Sequence, residues 1–412
     1  MVNEFVKKFI EKYRSKLVLP LVLLFFILLL IFLRIKLTTK NESAEVPSIV
    51  FTQWWEKDAD KELLLELISE FESLHDDFKI ILNTCSYEDL HLALFQGMPL
   101  GNILYPGDVV ALDPLWVSEL GKKEIIESIN ANPVSFINIL YYNIDILKEA
   151  GFSRPPKTRG EFLTYARQLA GSEGNLAGLA LGLNSSRGVY DDVLPWIWAA
   201  GVQLIKDGKP QVNSRQVVDC LSFLAALHSE GLLTPRSFTA GSAGNPVANP
   251  LDKLEDFISG KAAFVIAPAS EIGHVRERMG EEAFGVTSIP IPDNYAGKTF
   301  FAVSAWTSAV YSASAHKEEA KLFADFLAEK TAFISDKMNA IPGHGVPPAY
   351  DVFYSKVWDI AIAGEMAQDF SGLNWAELEE SFKEELAALF AGRASAGEAA
   401  GAIQKRWEAI VP

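Results

Sequence analysis

The chain has 412 residues, of which 49% are hydrophobic and 22% are charged, so it can bury two cores of ordinary domain size. Residues 1–40 hold eight of the 37 basic and two of the 53 acidic residues, which leaves residues 41–412 with a net charge of −22. A surface of this sign repels phosphate backbones, which argues against a nucleic-acid partner. It suits a neutral or cationic small molecule, or simply keeps the protein soluble.

A long apolar segment lies near the N-terminus. Leu17–Leu33 is apolar apart from Pro20, and as a helix it would cover about 25 Å of hydrocarbon. No small-residue cleavage site follows it, so we predict an uncleaved transmembrane signal anchor over residues 17–37, with a cleaved signal peptide as the alternative. Five basic residues precede the run and three follow it, which favours a cytoplasmic segment at residues 1–16. After a polar linker at residues 38–47, the rest of the chain is then periplasmic or extracellular.

The first elements after the linker form a predicted βαβ unit. Ile49–Phe51 is an apolar run typical of a buried parallel strand, and Phe78–Leu82 is the next strand. Between them, apolar residues recur at helical spacing: Leu64, Leu67, Ile68, Phe71 and Leu74. This pattern predicts an α/β fold in which helices cover a parallel sheet.

A strand, a short helix, a proline pair and a second helix follow one another in Leu140–Ala170, LYYNIDILKEAGFSRPPKTRGEFLTYARQLA. Gly151 is placed to end the first helix in the left-handed conformation. The two prolines that follow, Pro155 and Pro156, exclude a helix before Thr158. Thr158 and Glu161 then form a T-x-x-E capping box, which predicts the start of the second helix.

This ordered segment closely resembles the "LYYN…aG…PPkTwdEf…a…L" segment of the extracellular solute-binding proteins of ABC importers, the family typified by maltose- and trehalose-binding proteins. Arg159 stands where that family usually carries Trp. The chain is also shorter than usual between Asp108 and Leu140, which removes part of the first lobe. The resemblance extends over further segments: Val46–Glu72, Gly107–Val109, Phe257–Phe264, Glu318–Lys330 and Phe390–Trp407.

The resemblance implies a two-lobe, type II-like periplasmic-binding-protein fold with the ligand cleft between the lobes. On this basis residues 48–145 are predicted to form the first part of lobe 1, and residues 146–285 the first part of lobe 2. Residues 286–335 are predicted to return to lobe 1, and residues 336–412 to form C-terminal helices, mainly in lobe 2. The resemblance also implies that the captured solute is delivered to ABC permease subunits at the membrane.

Aromatic and acidic residues at strand ends are the predicted ligand-binding residues. Trp55 and Glu56 follow the first strand and Tyr87 follows the second, where an open α/β sheet receives its ligand. Trp54 and Trp55 are adjacent on extended backbone and point to opposite sides, so at most one faces the cleft, and we choose Trp55. The resemblance adds positions that match the family's cleft: Asp108, Asp192, Trp196, Trp306 and Tyr350.

Flat aromatic faces near carboxylates suit a mono- or oligosaccharide. An aromatic ring packs on the apolar face of a sugar, while carboxylates accept its hydroxyl hydrogens. The same groups form cation–π sites, so a polyamine or betaine-type cation is an alternative ligand. A membrane-tethered sensory or scaffold protein that keeps the binding fold is a further alternative, and each Trp is also an ordinary core residue.

The sequence lacks the common catalytic signatures. It contains no G-x-S-x-G elbow, phosphate-binding loop, H-E-x-x-H or C-x-x-C motif, so we predict no enzyme, no cofactor and no metal site. Cys85 and Cys220 are predicted to lie in different lobes and to remain unpaired. A glycosidase is the enzymatic alternative, since acidic residues could supply its paired carboxylates: Glu56, Glu88, Asp108, Asp191 and Asp192.

Overall fold

The computed structural model describes residues 46–55, 57–100, 105–129, 133–171, 176–238, 249–341 and 351–411, with isolated positions 3, 4, 7, 8 and 28. The chain divides into two compact units, residues 1–48 with 77–79 and residues 49–76 with 80–412. In the first unit, the Lys79 N–H donates to the Pro47 carbonyl over 2.9 Å. Apart from Leu28, the predicted anchor Leu17–Leu33 lies outside the described residues, and no helix in the described part is both long and apolar enough to span a membrane.

The described strands are β1 Ser48–Gln53, β2 Lys79–Thr84, β3 Val109–Leu112, β4 Ile126–Ile129, β5 Val134–Asn143, β6 Ala177–Ala180, β7 Ile205–Lys206, β8 Lys209–Pro210, β9 Ala262–Pro268, β10 Phe284–Thr287, β11 Phe300–Phe301, β12 Val303–Tyr311 and β13 Glu365–Met366. The described helices are α1 Asp58–Leu74, α2 Tyr87–Gln96, α3 Val117–Lys122, α4 Ile144–Glu149, α5 Arg159–Ala170, α6 Gly188–Asp192, α7 Leu194–Trp198, α8 Arg215–Ser229, α9 Asp252–Ile258, α10 Ile272–Met279, α11 Lys317–Glu329, α12 Thr331–Lys337, α13 Val352–Ala363, α14 Trp375–Phe390 and α15 Ala396–Ile410.

A mixed sheet with the strand order β2-β1-β3-β12-β5-β9-β6 runs through the second unit, with β4 on β12 and β10 on β5. β1 and β3 are parallel, with Phe51 opposite Val109. β12 then runs antiparallel to both β3 and β5. The α/β fold predicted from the sequence is therefore confirmed, although the sheet is mixed rather than purely parallel.

Strands β5 and β12 each belong to both halves of this sheet. Val303–Trp306 of β12 pairs with β5, whereas Thr307–Val310 pairs with β3. The first half of β5 pairs with β12, and Asn138–Tyr142 pairs with β9. We call lobe 1 the part built on β1 to β4 and the second half of β12, and lobe 2 the part built on β6, β9, β10 and the second half of β5. The strands β5 and β12 are the hinge strands.

Each lobe has its own apolar core. In lobe 1, Phe323 of α11 packs between Phe51 of β1 and Phe71 of α1, with ring centroids 5.4 and 5.0 Å apart. Of the residues predicted to share one face of α1, Leu64, Leu67, Ile68 and Phe71 are buried, whereas Leu74, its last residue, is 66% exposed. In lobe 2 the core includes Tyr141, Phe257, Val265, Phe284 and Phe353.

The helix start predicted at Thr158 is confirmed. Its hydroxyl oxygen accepts a hydrogen bond of 3.3 Å from the Glu161 N–H. The Glu161 carboxylate accepts from the Lys157 N–H over 2.7 Å, one residue before the expected position. Gly151 adopts the predicted positive φ, at +83°. Arg159 is buried, and its guanidinium donates to the Trp196 carbonyl.

Candidate functional site

Two tryptophans at the hinge stack on one another. The ring of Trp55, which follows β1, lies 4.4 Å from that of Trp306 on β12, with 27° between the ring planes. Trp55 is 8% exposed and Trp306 is 3% exposed. Nε1 of Trp306 is buried and has no hydrogen-bond partner among the described residues. The structure thus brings two predicted ligand-binding residues together, but each ring covers one face of the other.

Trp54 contacts a different set of rings. It is half-buried, its ring meets that of Tyr87 edge to face at 5.2 Å, and it lies 5.5 Å from Trp116. Tyr87, the first residue of α2, is buried and donates its hydroxyl hydrogen to Asp113 over 2.9 Å. Burial raises the pKa of Tyr87 well above its ordinary value, so this hydroxyl keeps its proton and acts as the donor.

Arg187, in the turn before α6, faces Asp113 from lobe 2. It is buried, and its Nη1 forms an ion pair with Asp113. Nε and Nη2 donate to the two oxygens of Asp191 over 3.0 and 2.9 Å, and Nη2 also donates to the Ser304 hydroxyl over 3.2 Å. Burial opposes the charge of both Arg187 and Asp191, but their attraction outweighs it, so the pKa of Arg187 is raised and that of Asp191 is lowered.

Hinge residues and two tyrosines complete this cluster. Asn138 of β5 donates to Asp191 over 3.0 Å and accepts from Ser304 of β12 over 2.9 Å. The rings of Tyr190 and Tyr87 lie over the guanidinium, with their centroids 5.0 and 5.9 Å from its central carbon. The cluster therefore connects lobe 1, both hinge strands and lobe 2.

Glu88 makes a second contact between the lobes. Its Oε1 accepts from both the N–H and the hydroxyl of Ser186, over 2.9 and 2.8 Å. Burial raises the pKa of Glu88 to about 6, although the bonds from Ser186 oppose this shift. Lys383 of α14 donates to the Ser185 carbonyl in the same turn over 2.6 Å. The turn Ser185–Arg187 is thus held by side chains of both α2 and α14.

A third contact between the lobes lies near the end of β9. Lys57, in the loop after β1, forms an ion pair of 2.6 Å with Glu271 and donates to the Ser270 carbonyl over 3.0 Å. The Glu271 side chain is 5% exposed, whereas that of Lys57 is 29% exposed. This contact is therefore more open to water than the one at Arg187.

Asp108, predicted to bind ligand, is bonded within lobe 1. One carboxylate oxygen accepts from the Val50 N–H over 2.8 Å, and the other accepts from the hydroxyls of Tyr105 and Ser314 over 2.6 Å each. Among the described residues, no contact joins Asp108 to Arg187 or Tyr87. The role of Asp108 in ligand binding stays a prediction. Two further predicted residues lie outside the described residues: Glu56 and Tyr350.

Asp192 and Trp196 are buried within lobe 2. Asp192 pairs with Lys253 over 2.6 Å and accepts from the Gly182 N–H over 2.7 Å. Trp196 is fully buried, with its ring 4.9 Å from that of Phe223. These contacts account for both residues as parts of the lobe 2 interior, and their contact with a ligand stays a prediction.

Asp113 and Arg187 lie at the centre of the site but were not among the predicted residues. Asp113 follows β3 directly, so the strand-end rule that selected Trp55 applies to it equally. Arg187 precedes Asp191 by four residues, the spacing of neighbours on a helix, but that pattern does not indicate burial.

The site offers hydrogen-bonding groups and aromatic rings between two lobes. Its carboxylates, guanidinium and amide suit the polar groups of a small molecule, and its rings suit an apolar face. Among the described residues, no group of three or more His, Cys, Asp or Glu is placed to hold a metal ion. Cys85 and Cys220 do not form a disulfide with each other.

Comparisons with known proteins identify relatives of this architecture. A family model described as bacterial extracellular solute-binding protein matches residues 51–332. A curated protein from Deinococcus radiodurans, described as a "Probable ABC transporter-binding protein", is 24% identical over 306 residues, which cover 65% of this chain and 68% of that protein.

Two solved structures show the same fold. The GacH receptor of Streptomyces glaucescens GLA.O, determined unliganded and with acarbose, has a TM-score of 0.70 and 18% identity, and the match covers 89% of this chain and 98% of that one. Maltose-bound MalE3 of T. maritima has a TM-score of 0.65 and 17% identity, with 87% and 98% covered. At these identities the likeness shows the fold, and it confirms the predicted two-lobe α/β architecture.

Proposed function

Because the chain belongs to the bacterial extracellular solute-binding protein family, we propose that it is the solute-binding component of an ABC importer, which captures a neutral carbohydrate between its lobes and delivers it to permease subunits. One observation carries this proposal: the rings of Trp54 and Tyr87 adjoin the polar cluster of Asp113 and Arg187 where the lobes meet. Aromatic faces beside planar hydrogen-bonding groups suit a sugar. Related proteins of the same fold are described with acarbose or maltose.

We choose the proposed sugar contacts by how exposed each aromatic side chain is. Trp54 is the half-buried member of its ring cluster, so it needs the least rearrangement to receive a sugar face, and Tyr87 lies beside it. Trp55 and Trp306 remain predicted contacts, but at 8% and 3% exposure a solute reaches them only after the lobes separate. Arg187 and Asp113 are added as partners for hydroxyl groups.

Calorimetric titration of the full-length chain tests the proposal. We expect one mono- or oligosaccharide to bind with a micromolar Kd, a free energy of about −8 kcal/mol. Polyamines and betaines form the second panel. Heat from these cations alone would contradict a carbohydrate ligand and favour a cationic ligand. No heat from either panel would favour a sensory or scaffold role.

The proposal includes membrane attachment. We propose that residues 17–37 anchor the chain in the cytoplasmic membrane as a single span, with residues 38–412 on the extracytoplasmic side. N-terminal sequencing of membrane-extracted protein tests this, since an intact N-terminus is expected. A mature chain that begins near Asn41 would show that the segment is cleaved.

We also propose that the protein binds its solute without hydrolysing it, in keeping with its family. The full-length chain is incubated with a panel of glycosides, and no release of reducing sugar above a boiled control is expected. Release that is abolished in Glu88→Gln or Asp191→Asn, which alter buried carboxylates between the lobes, would instead establish a glycosidase.

A further inference from the structure

Arg187 is bonded in the way that a bound cation would be. It reaches Asp113 in lobe 1, Ser304 on a hinge strand and Asp191 in its own lobe, through four of the five N–H donors of a guanidinium. Its side chain is 5% exposed, and those of Asp113 and Asp191 are 2% and 7% exposed. A buried charge is tolerated only when it is paired and hydrogen-bonded, and here both conditions are met.

The surroundings of this guanidinium form a cage. Tyr87 comes from lobe 1 and Tyr190 from lobe 2, and their rings lie over the cation. The Tyr87 hydroxyl also bonds to Asp113, and Asn138 to Asp191, so each carboxylate is held in place by a second donor. Two aromatic faces and two oriented carboxylates are the features of a site for a planar cation.

The cage exists only while the lobes are together. If they rotated apart about the hinge strands, Asp113 and Tyr87 would leave with lobe 1, and Asp191 and Tyr190 would stay with lobe 2. Arg187 would then lose its ion pair with Asp113 and one aromatic face. The adjacent contact of Glu88 with Ser186 would break in the same movement, because it joins the same turn to lobe 1.

We propose that Arg187 is a built-in cation ligand, which fills a guanidinium-specific cage between the lobes and holds the lobes together. The inference rests on the two-lobe fold and not on the carbohydrate proposed above, so either can fail alone. A solute that enters between the lobes must first open this cage, and the fraction of open molecules then limits its apparent affinity.

Removal of the side chain and its replacement by a free cation test this proposal. In full-length Arg187→Ala without solute, we expect amide hydrogen exchange to accelerate about tenfold or more in two segments of opposite lobes, Asp113–Trp116 and Ser185–Arg187. About 10 mM guanidinium should refill the cage and restore most of the protection. The same concentration of tetramethylammonium should not, because that cation has no N–H donors.

Arg167→Ala is the matched control. Arg167 forms a two-bond ion pair with Glu230 on the surface of lobe 2, so its loss should leave exchange in both segments unchanged, with or without guanidinium. Asp113→Asn is a second test that remains available if Arg187→Ala folds poorly. It keeps an oxygen that accepts from the Leu115 N–H but removes the charge that faces Arg187. We therefore expect a milder increase in exchange in this variant. Unchanged exchange in Asp113→Asn, or equal recovery with tetramethylammonium, would overturn the proposal.

Discussion

The indole rings of Trp55 and Trp306 are stacked, with their centroids 4.4 Å apart and their planes inclined by 27°. The contact joins the end of β1 to the hinge strand β12, and Phe51 meets the Trp306 ring edge to face at 6.4 Å. The Trp306 ring is therefore covered on one face by Trp55 and contacted at its side by Phe51, so it contributes to the core as well as to any ligand site. Trp54, on the same loop as Trp55, is half-buried, so it contributes less to the core and is more accessible to a ligand.

This difference leads to opposite expectations for two truncations. Trp306→Ala should lower the free energy of unfolding by about 3–5 kcal/mol, because it removes a buried ring and its stacking partner loses contact. Trp54→Ala should cost about 1–2 kcal/mol in stability but weaken binding of the best saccharide about tenfold. Urea denaturation and calorimetry on the same samples measure both quantities. A loss of affinity in Trp306→Ala alone would assign the sugar contact to the inner pair, and equal stability losses would show that Trp54 contributes as much to the core as Trp306.

The elements that local chemistry specifies could be predicted from the sequence. The Thr158 cap, the positive φ at Gly151 and the inward face of α1 each depend on neighbouring residues, and the structure confirms them. The exposed Leu74 is an exception, because a residue at the last position of a helix has no following turn to hold it against the core.

The site could be predicted only in part. A strand-end rule locates Tyr87 near the meeting of the lobes, but it cannot say which neighbour a carboxylate will have. Asp108 and Asp113 both flank β3, yet one accepts three bonds inside lobe 1 and the other faces Arg187. The pairing of Asp113 with Arg187 joins residues 74 positions apart, so no local pattern records it.

Glu88 should make stability depend on pH. Its pKa is raised from 4.5 to about 6 by burial, so the folded state holds this proton more tightly than the unfolded state. The resulting stabilisation is fully present below about pH 4.5 and is lost as pH rises through 6, a change of about 2 kcal/mol.

Glu88→Gln removes this titration while its side-chain oxygen still accepts from Ser186. The stability difference between wild type and variant, from urea denaturation, should therefore shift by about 2 kcal/mol in favour of the variant between pH 4.5 and 7.5. Glu66→Gln, on the exposed face of α1, serves as the control. A difference that is constant across this range would show that the pKa of Glu88 is the same in the folded and unfolded states.

Two glycines of lobe 2 have nearly the same backbone angle but different surroundings. Gly201 has φ +71° and Gly208 has φ +72°. A β-carbon at Gly201 would overlap the Tyr295 hydroxyl and lie 2.5 Å from the Lys298 carbonyl oxygen, whereas at Gly208 it would meet nothing within 4 Å. Gly208→Ala should thus cost only the backbone strain, about 1 kcal/mol, and Gly201→Ala about 3 kcal/mol or more. Thermal unfolding of both variants measures this, and equal losses would mean that the Tyr295 loop moves aside freely.

The ion pair of Lys253 with Asp192 decides between a structural and a ligand-binding role for Asp192. The pair is 2.6 Å long, with side chains 2% and 1% exposed, and burial raises the pKa of Asp192 to about 6 although Lys253 opposes this shift. Lys253→Met should cost about 3–5 kcal/mol of stability near neutral pH, because it leaves a buried carboxylate unpaired. The cost should shrink as pH falls, because loss of Lys253 raises the pKa of Asp192 further and its carboxylate is then protonated more readily.

Lys253→Met combined with Asp192→Asn should recover more than half of this loss, since the amide is neutral and its oxygen still accepts from the Gly182 N–H. Denaturation of the two single variants and the double variant gives the coupling energy. Saccharide affinity, measured on Asp192→Asn alone, should stay within about twofold of wild type, because every observed contact of Asp192 lies inside lobe 2. A tenfold loss of affinity in a variant that is still fully folded would instead place Asp192 in contact with the solute, as the sequence predicts.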